Sequence, residues 1–200
     1  MGKIKYLKEI KEFINKTTIF KIRDIKNILL AKKANQKYAY LILTNLLKKG
    51  KINKITKGCY SKHTDPMIIT YCIKPSYIGL ETALSLHNLW EQETNTVLLT
   101  PRRLRYGLRT VLDTNIIIHH INKKYFFGYD YIDYYDLKIP VSDIEKTFID
   151  WIVYKKPLNK ELLKNFQKKI NKKKLKKYLK KYNKKTAKKV LKRIVSKTKQ

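Results

Sequence analysis

The chain has 200 residues, a mass of 23.9 kDa and 43% apolar content, enough for one large core or two small ones. Its 47 Lys+Arg against 15 Asp+Glu leave a net charge of +32, a self-repulsion that asks for a polyanion partner. No apolar run reaches the about 18 residues of a membrane span and none opens the chain as a signal peptide. Two cysteines, Cys59 and Cys72, suffice neither for a disulfide framework nor for a four-ligand zinc site. The expectation is a soluble, cytoplasmic protein with buried, inert thiols, no metal and no cofactor.

Charge divides the chain into three stretches. Residues 1–64 carry 17 Lys+Arg and 3 Asp+Glu, residues 65–154 carry 9 and 11, and residues 155–200 carry 21 and 1. A composition bias toward lysine (41 Lys against 6 Arg) raises the total but does not leave the middle neutral.

The head opens with Ile4, Leu7, Ile10 and Ile14 at helical spacing, with Lys3, Lys5, Lys8 and Lys11 between them. Residues 17–20 read as a short strand or extended link. Ile22, Ile25, Ile28 and Leu29 mark a second helix. Asn35 is placed to cap a third, whose apolar face is Ala39, Ile42, Leu43, Leu46 and Leu47. Gly50 stands where a left-handed residue ends a helix. Residues 51–56 and 59–61 then read as two strands around a Lys57-Gly58 turn. Three helices and a basic hairpin in about 60 residues follow the order of a winged helix-turn-helix. On that reading Gln36, Lys37, Tyr40 and Thr44 face the major groove, while Lys32, Lys33, Lys54 and Lys57 hold phosphates.

The middle reads as mixed α and β. A short helix lies within residues 77–86 and is closed by His87-Asn88. Strands are predicted at 97–100, 116–118 and 125–127, and Ser142-x-x-Glu145 reads as a capping box opening a helix with Ile144, Phe148, Trp151 and Ile152 inward. Asp130, Asp133 and Asp136 raise a metal-dependent nuclease as a rival, with Asp130 and Asp136 on one strand face. No nuclease motif accompanies them, and they read as a solvated strand rim. His119 and His120 splay to opposite faces, and no catalytic residue is assigned. In the tail, apolar stripes (Leu158, Leu162, Phe166, Ile170; Leu175, Tyr178, Leu179, Tyr182; Ala187, Val190, Leu191, Ile194, Val195) alternate with nearly continuous lysine. Such helices need an apolar surface to dock on. Their other faces suit DNA, RNA, solvent or a membrane surface.

Residues 74–89, K-P-S-Y-I-G-L-E-T-A-L-S-L-H-N-L, resemble the P-S-Y-x-S-x-x-S-A-L-x-x-H-G-L block of the AbiEi family of antitoxins. Residues 97–103, Phe126-Phe127-Gly128 and residues 141–150 are similar to later blocks in the same order, Glu145-Lys146-Thr147…Asp150 being the most specific. Gly79 and Asn88 depart from the usual Ser and Gly. The resemblance implies a head that represses its own operon at a double-stranded DNA operator with inverted repeats. It also implies a second domain that neutralises a nucleotidyltransferase-like toxin without a stable complex. Similar proteins act as stand-alone regulators, and an RNA- or tRNA-binding protein using the tail is the rival from another class. The expected fold is α+β: a winged helix-turn-helix at 1–64, then a domain at 65–200 with a small antiparallel sheet and a lysine-rich helical tail at 155–200.

Overall fold

The computed structural model describes residues 6–92 and 95–195; Lys3, Ile4 and Lys5 of the predicted opening helix, and the tail beyond Val195, lie outside the described residues. Two compact units form, one from the chain up to Lys74 with Thr110–Thr114, the other from Pro75–Arg109 and from Asn115 onward. The division falls beyond the change of charge at residue 64, because Met67, Ile68 and Ile69 are buried in a segment tied to the hairpin before it.

In the first unit, helices α1 (Leu7–Lys16), α2 (Ile22–Ala31) and α3 (Tyr38–Lys48) precede a hairpin of β1 (Asn53–Thr56) and β2 (Cys59–Ser61). Their apolar stripes meet in one core of Ile10, Ile14, Ile25, Leu29, Ala39, Ile42 and Leu46. Phe20 bridges to Tyr60 by two backbone hydrogen bonds of 2.9 Å, and the two rings stack at 5.9 Å. The link before α2 is thus a one-residue third strand of the hairpin. Asn35 does not cap α3 directly: its Oδ1 accepts from the Lys37 backbone N–H at 2.9 Å, and the α-helix begins only at Tyr38. Gly50 ends α3 with φ +60°, its N–H donating to the Leu47 carbonyl, and Gly58 turns the hairpin with φ +76°. After a 3-10 turn at Pro66–Ile68 comes a short helix, α4 (Ile69–Cys72). The expected free thiols are instead a disulfide: Cys59 of β2 and Cys72 of α4, with Cα atoms 6.0 Å apart, close a loop that sequence spacing alone does not reveal.

The second unit holds β3 (Tyr77–Ile78), α5 (Leu80–Leu86), β4 (Thr96–Thr100), most of β5 (Gly107–Val111) and of β6 (Thr114–His120), β7 (Tyr129–Tyr134) and β8 (Leu137–Ser142). Among the described residues the sheet has six strands in the order β5-β6-β4-β3-β8-β7, with β4–β6 and β3–β8 parallel. The expected small antiparallel sheet is therefore a larger mixed one. Its centre is buried on both sides, as the unbroken apolar run of β4 requires. Residues 125–127 are not a strand. A 3-10 turn at Lys123–Tyr125 leads into them, and their rings pack on the core instead.

Four helices complete the unit: α6 (Ile144–Val153), α7 (Lys160–Lys169), α8 (Lys172–Leu179) and α9 (Lys184–Val195). Asp143, not Ser142, caps α6 by accepting from the Lys146 N–H at 2.8 Å. Ser142 is spent on the Thr147 hydroxyl, and Glu145 accepts from the Asn171 backbone N–H at 2.7 Å instead of closing a capping box. Asn159, Asn171 and Asn183 each accept N–H groups in the first turn of α7, α8 and α9. The tail stripes dock for the most part as expected: Leu162, Phe166, Leu175, Leu179, Val190 and Ile194 share one core with Phe148 and Trp151, whereas Leu191 and Val195 of the last stripe stay exposed.

Candidate nucleic-acid interface

Lys37, at the N-cap of α3, and Tyr40, Leu41 and Thr44 within it follow the helical period along one exposed face, opposite the buried Ala39, Ile42, Leu43 and Leu46. Gln36 is exposed in the turn before them, and Lys32 and Lys33 are exposed just after α2, Lys33 with φ +53°. Lys54 stands out from β1 and Lys57 from the adjacent turn, both exposed. Asp24 of α2 is occupied by the Lys21 backbone N–H at 2.7 Å, and Asp65 by that of Met67. Neither carboxylate is spent on these lysines.

Two features escape a reading of the sequence. Lys26 of α2 lies over the Tyr40 ring, 4.5 Å from its centroid, and donates to the Tyr40 hydroxyl at 3.1 Å. Fourteen residues separate the pair, so only the packing of α2 on α3 joins them. Leu30 of α2 and Leu41 of α3 are 58% and 51% exposed.

The second unit contains a buried polar cluster. Lys146 Nζ, fully buried, pairs with Asp150 and donates to the Tyr182 hydroxyl at 3.2 Å, and the Tyr77 hydroxyl donates to Asp150 Oδ2 at 2.7 Å. Burial pushes Lys146 down and Asp150 up from their ordinary values, each opposed by the partner's charge. Burial, then Asp150, raises Tyr77 as well. Every polar atom is answered within the cluster, so the arrangement holds α6, β3 and the segment after α8 together. Asp130 and Asp133 are exposed on β7, and Asp136 is exposed in the turn beyond it rather than on a shared strand face. Among the described residues no three His, Cys, Asp or Glu side chains gather at metal-binding distance. His119 packs on Tyr154 and His120 on Tyr106, each against a different ring. Burial lowers the His119 pKa, and Lys156 lowers it further. No helix among the described residues is long and apolar enough to cross a membrane.

No protein-family model and no curated protein sequence matches the chain.

Proposed function

We propose that the first unit is a winged helix-turn-helix that binds duplex DNA, with α3 in the major groove and the β1–β2 hairpin as the wing. One observation carries this reading: Gln36, Lys37, Tyr40 and Thr44 are solvent-exposed at and before α3, in a unit of three helices and a hairpin whose Lys32, Lys33, Lys54 and Lys57 are exposed as well. Gln36 supplies the bidentate partner for adenine, Lys37 reaches guanine, and Tyr40 is braced by Lys26. Lys32, Lys33, Lys54 and Lys57 contact phosphates and set the register. The resemblance of residues 74–150 to AbiEi blocks extends the reading to a cytoplasmic repressor of its own operon. In this reading the second unit counters a nucleotidyltransferase-like toxin. Gly79, where that pattern has Ser, has a local reason here, since a Cβ on it would lie 2.4 Å from Leu99 Cδ1.

Selection of bound sequences from a random duplex pool tests the DNA reading. Enrichment of one motif, lost on Lys37→Ala or Tyr40→Ala, is expected; a pool that stays random removes α3 from a reading role. For the antitoxin role, a full-length chain is expected to rescue cells expressing a neighbouring nucleotidyltransferase gene, and residues 1–74 alone are not.

A further inference from the structure

The most charged part of the chain is also the part with the fewest counter-charges. From 155 to 195 there are 19 Lys+Arg and one carboxylate, Glu161. Lys156 is paired with Glu81, Lys174 with Asp143 and Glu145, and Lys169 donates to the carbonyls of His87 and Asn88. Along α7, α8 and α9 most exposed positions are lysine, the others being Glu161, Leu191, Arg193 and Val195. Most of the apolar stripe residues of the same helices are buried in the core of the unit. Leu191 and Val195 of α9 stay exposed, too few to make an apolar helix face that enters a lipid surface. What is left for a partner is mainly charge.

We propose that the solvent side of α7, α8 and α9 is a second phosphate-binding surface, which takes the sugar-phosphate backbone of duplex DNA without reading its bases. Lysine supplies this chemistry: a point charge on a flexible stem neutralises phosphate, and it lacks the planar fork with which arginine reads guanine bidentately. Only Arg193 of the 19 basic groups is an arginine. Lys164 and Lys168 on α7, Lys173 and Lys177 on α8, and Lys185 and Lys189 on α9 are exposed in i, i+4 pairs. That spacing puts charges about 6 Å apart along each helix, comparable to the separation of neighbouring phosphates along one DNA strand. The choice of DNA over RNA rests on the proposed role of the first unit; the phosphate surface does not.

The test uses the full chain and a variant with those six lysines changed to glutamine, which keeps length and helix propensity. Binding to a random-sequence duplex and to an RNA hairpin, each about 30 base pairs long, is followed by fluorescence anisotropy across salt. The glutamine variant is expected to bind the duplex at least about tenfold more weakly at low salt. Its log–log salt slope should flatten by about 3 to 5, at ~0.9 per phosphate lost. The six-arginine counterpart should keep both. Should the six-fold glutamine chain melt early, Lys177→Gln/Lys185→Gln/Lys189→Gln is read instead, with about half the change in slope. An unchanged slope on the duplex overturns the proposal, as does a loss confined to RNA. A head variant, Lys32→Gln/Lys33→Gln/Lys54→Gln/Lys57→Gln, separates the two readings. If it binds duplex normally while the tail variant does not, the DNA role of the first unit fails and this surface stands.

Discussion

Single residues decide where this chain spends its polar groups. Lys146, inside the second core, is tolerated because Asp150 and the Tyr182 hydroxyl answer it. Lys146→Met leaves Asp150 buried without its cation and is expected to cost about 3–5 kcal/mol in urea denaturation. Adding Asp150→Asn should recover part of that loss, because an amide oxygen still accepts from Tyr77; a double variant as unstable as the single would show that the charge pair is not the issue. The Cys59–Cys72 bond joins residues 13 apart in sequence and restricts the unfolded chain by about 3 kcal/mol. Dithiothreitol should lower the denaturation midpoint of the native chain and leave a Cys59→Ala/Cys72→Ala variant unaffected. Tyr178 is pushed up to about 12 by burial, then by its hydrogen bond to Asp143 and that group's charge. In the unfolded chain it ionises near about 10, so its contribution is whole below that pH and declines toward pH 12. Melting temperatures of Tyr178→Phe should fall less steeply over that window, and parallel curves would dismiss the residue as the cause.

Elements show how far periodicity reaches. The stripes of α1, α2, α3 and the tail helices were visible because each repeats at 3.6 residues, and most of their described members pack into the two cores, Leu191 and Val195 of α9 being the exposed exceptions. Asn159, Asn171 and Asn183 recur every twelve residues, a legible start signal for α7, α8 and α9. The Ser142-x-x-Glu145 pattern misled because both side chains found longer-range partners in Thr147 and Asn171, which a local motif does not encode. At this scale the DNA reading is checked by pairs. Lys37→Ala and Tyr40→Ala on α3 should weaken a selected site more than random duplex, each by about 1–3 kcal/mol. Lys54→Ala and Lys57→Ala on the hairpin should weaken both about equally, because phosphates carry no sequence. Uniform losses from all four would leave α3 as a backbone contact only.

Over the whole molecule, a net charge of +32 sets two responses to salt that run in opposite directions. Screening relieves self-repulsion, so the melting temperature should rise between about 0.05 and 0.5 M salt, as the Debye length shortens. Binding to nucleic acid should fall over the same range, because fewer counterions are released. A melting temperature that falls with salt would mean that the surface lysines are neutralised within the fold.

Composition and spacing by themselves determined the basic head, the neutral middle, the very basic tail, the opening run of helices and hairpin, and the exposed positions of α3. Those properties are local, or add up residue by residue. Only the tertiary structure decided that Cys59 and Cys72 bond, that the sheet is mixed and six-stranded, and that Lys26 braces Tyr40. It also decided that Lys146 lies buried beside Asp150 rather than joining the basic surface. Each of these depends on which distant segments meet, and burial makes such a meeting decisive, because a polar group removed from water must find its partner wherever the chain has brought one.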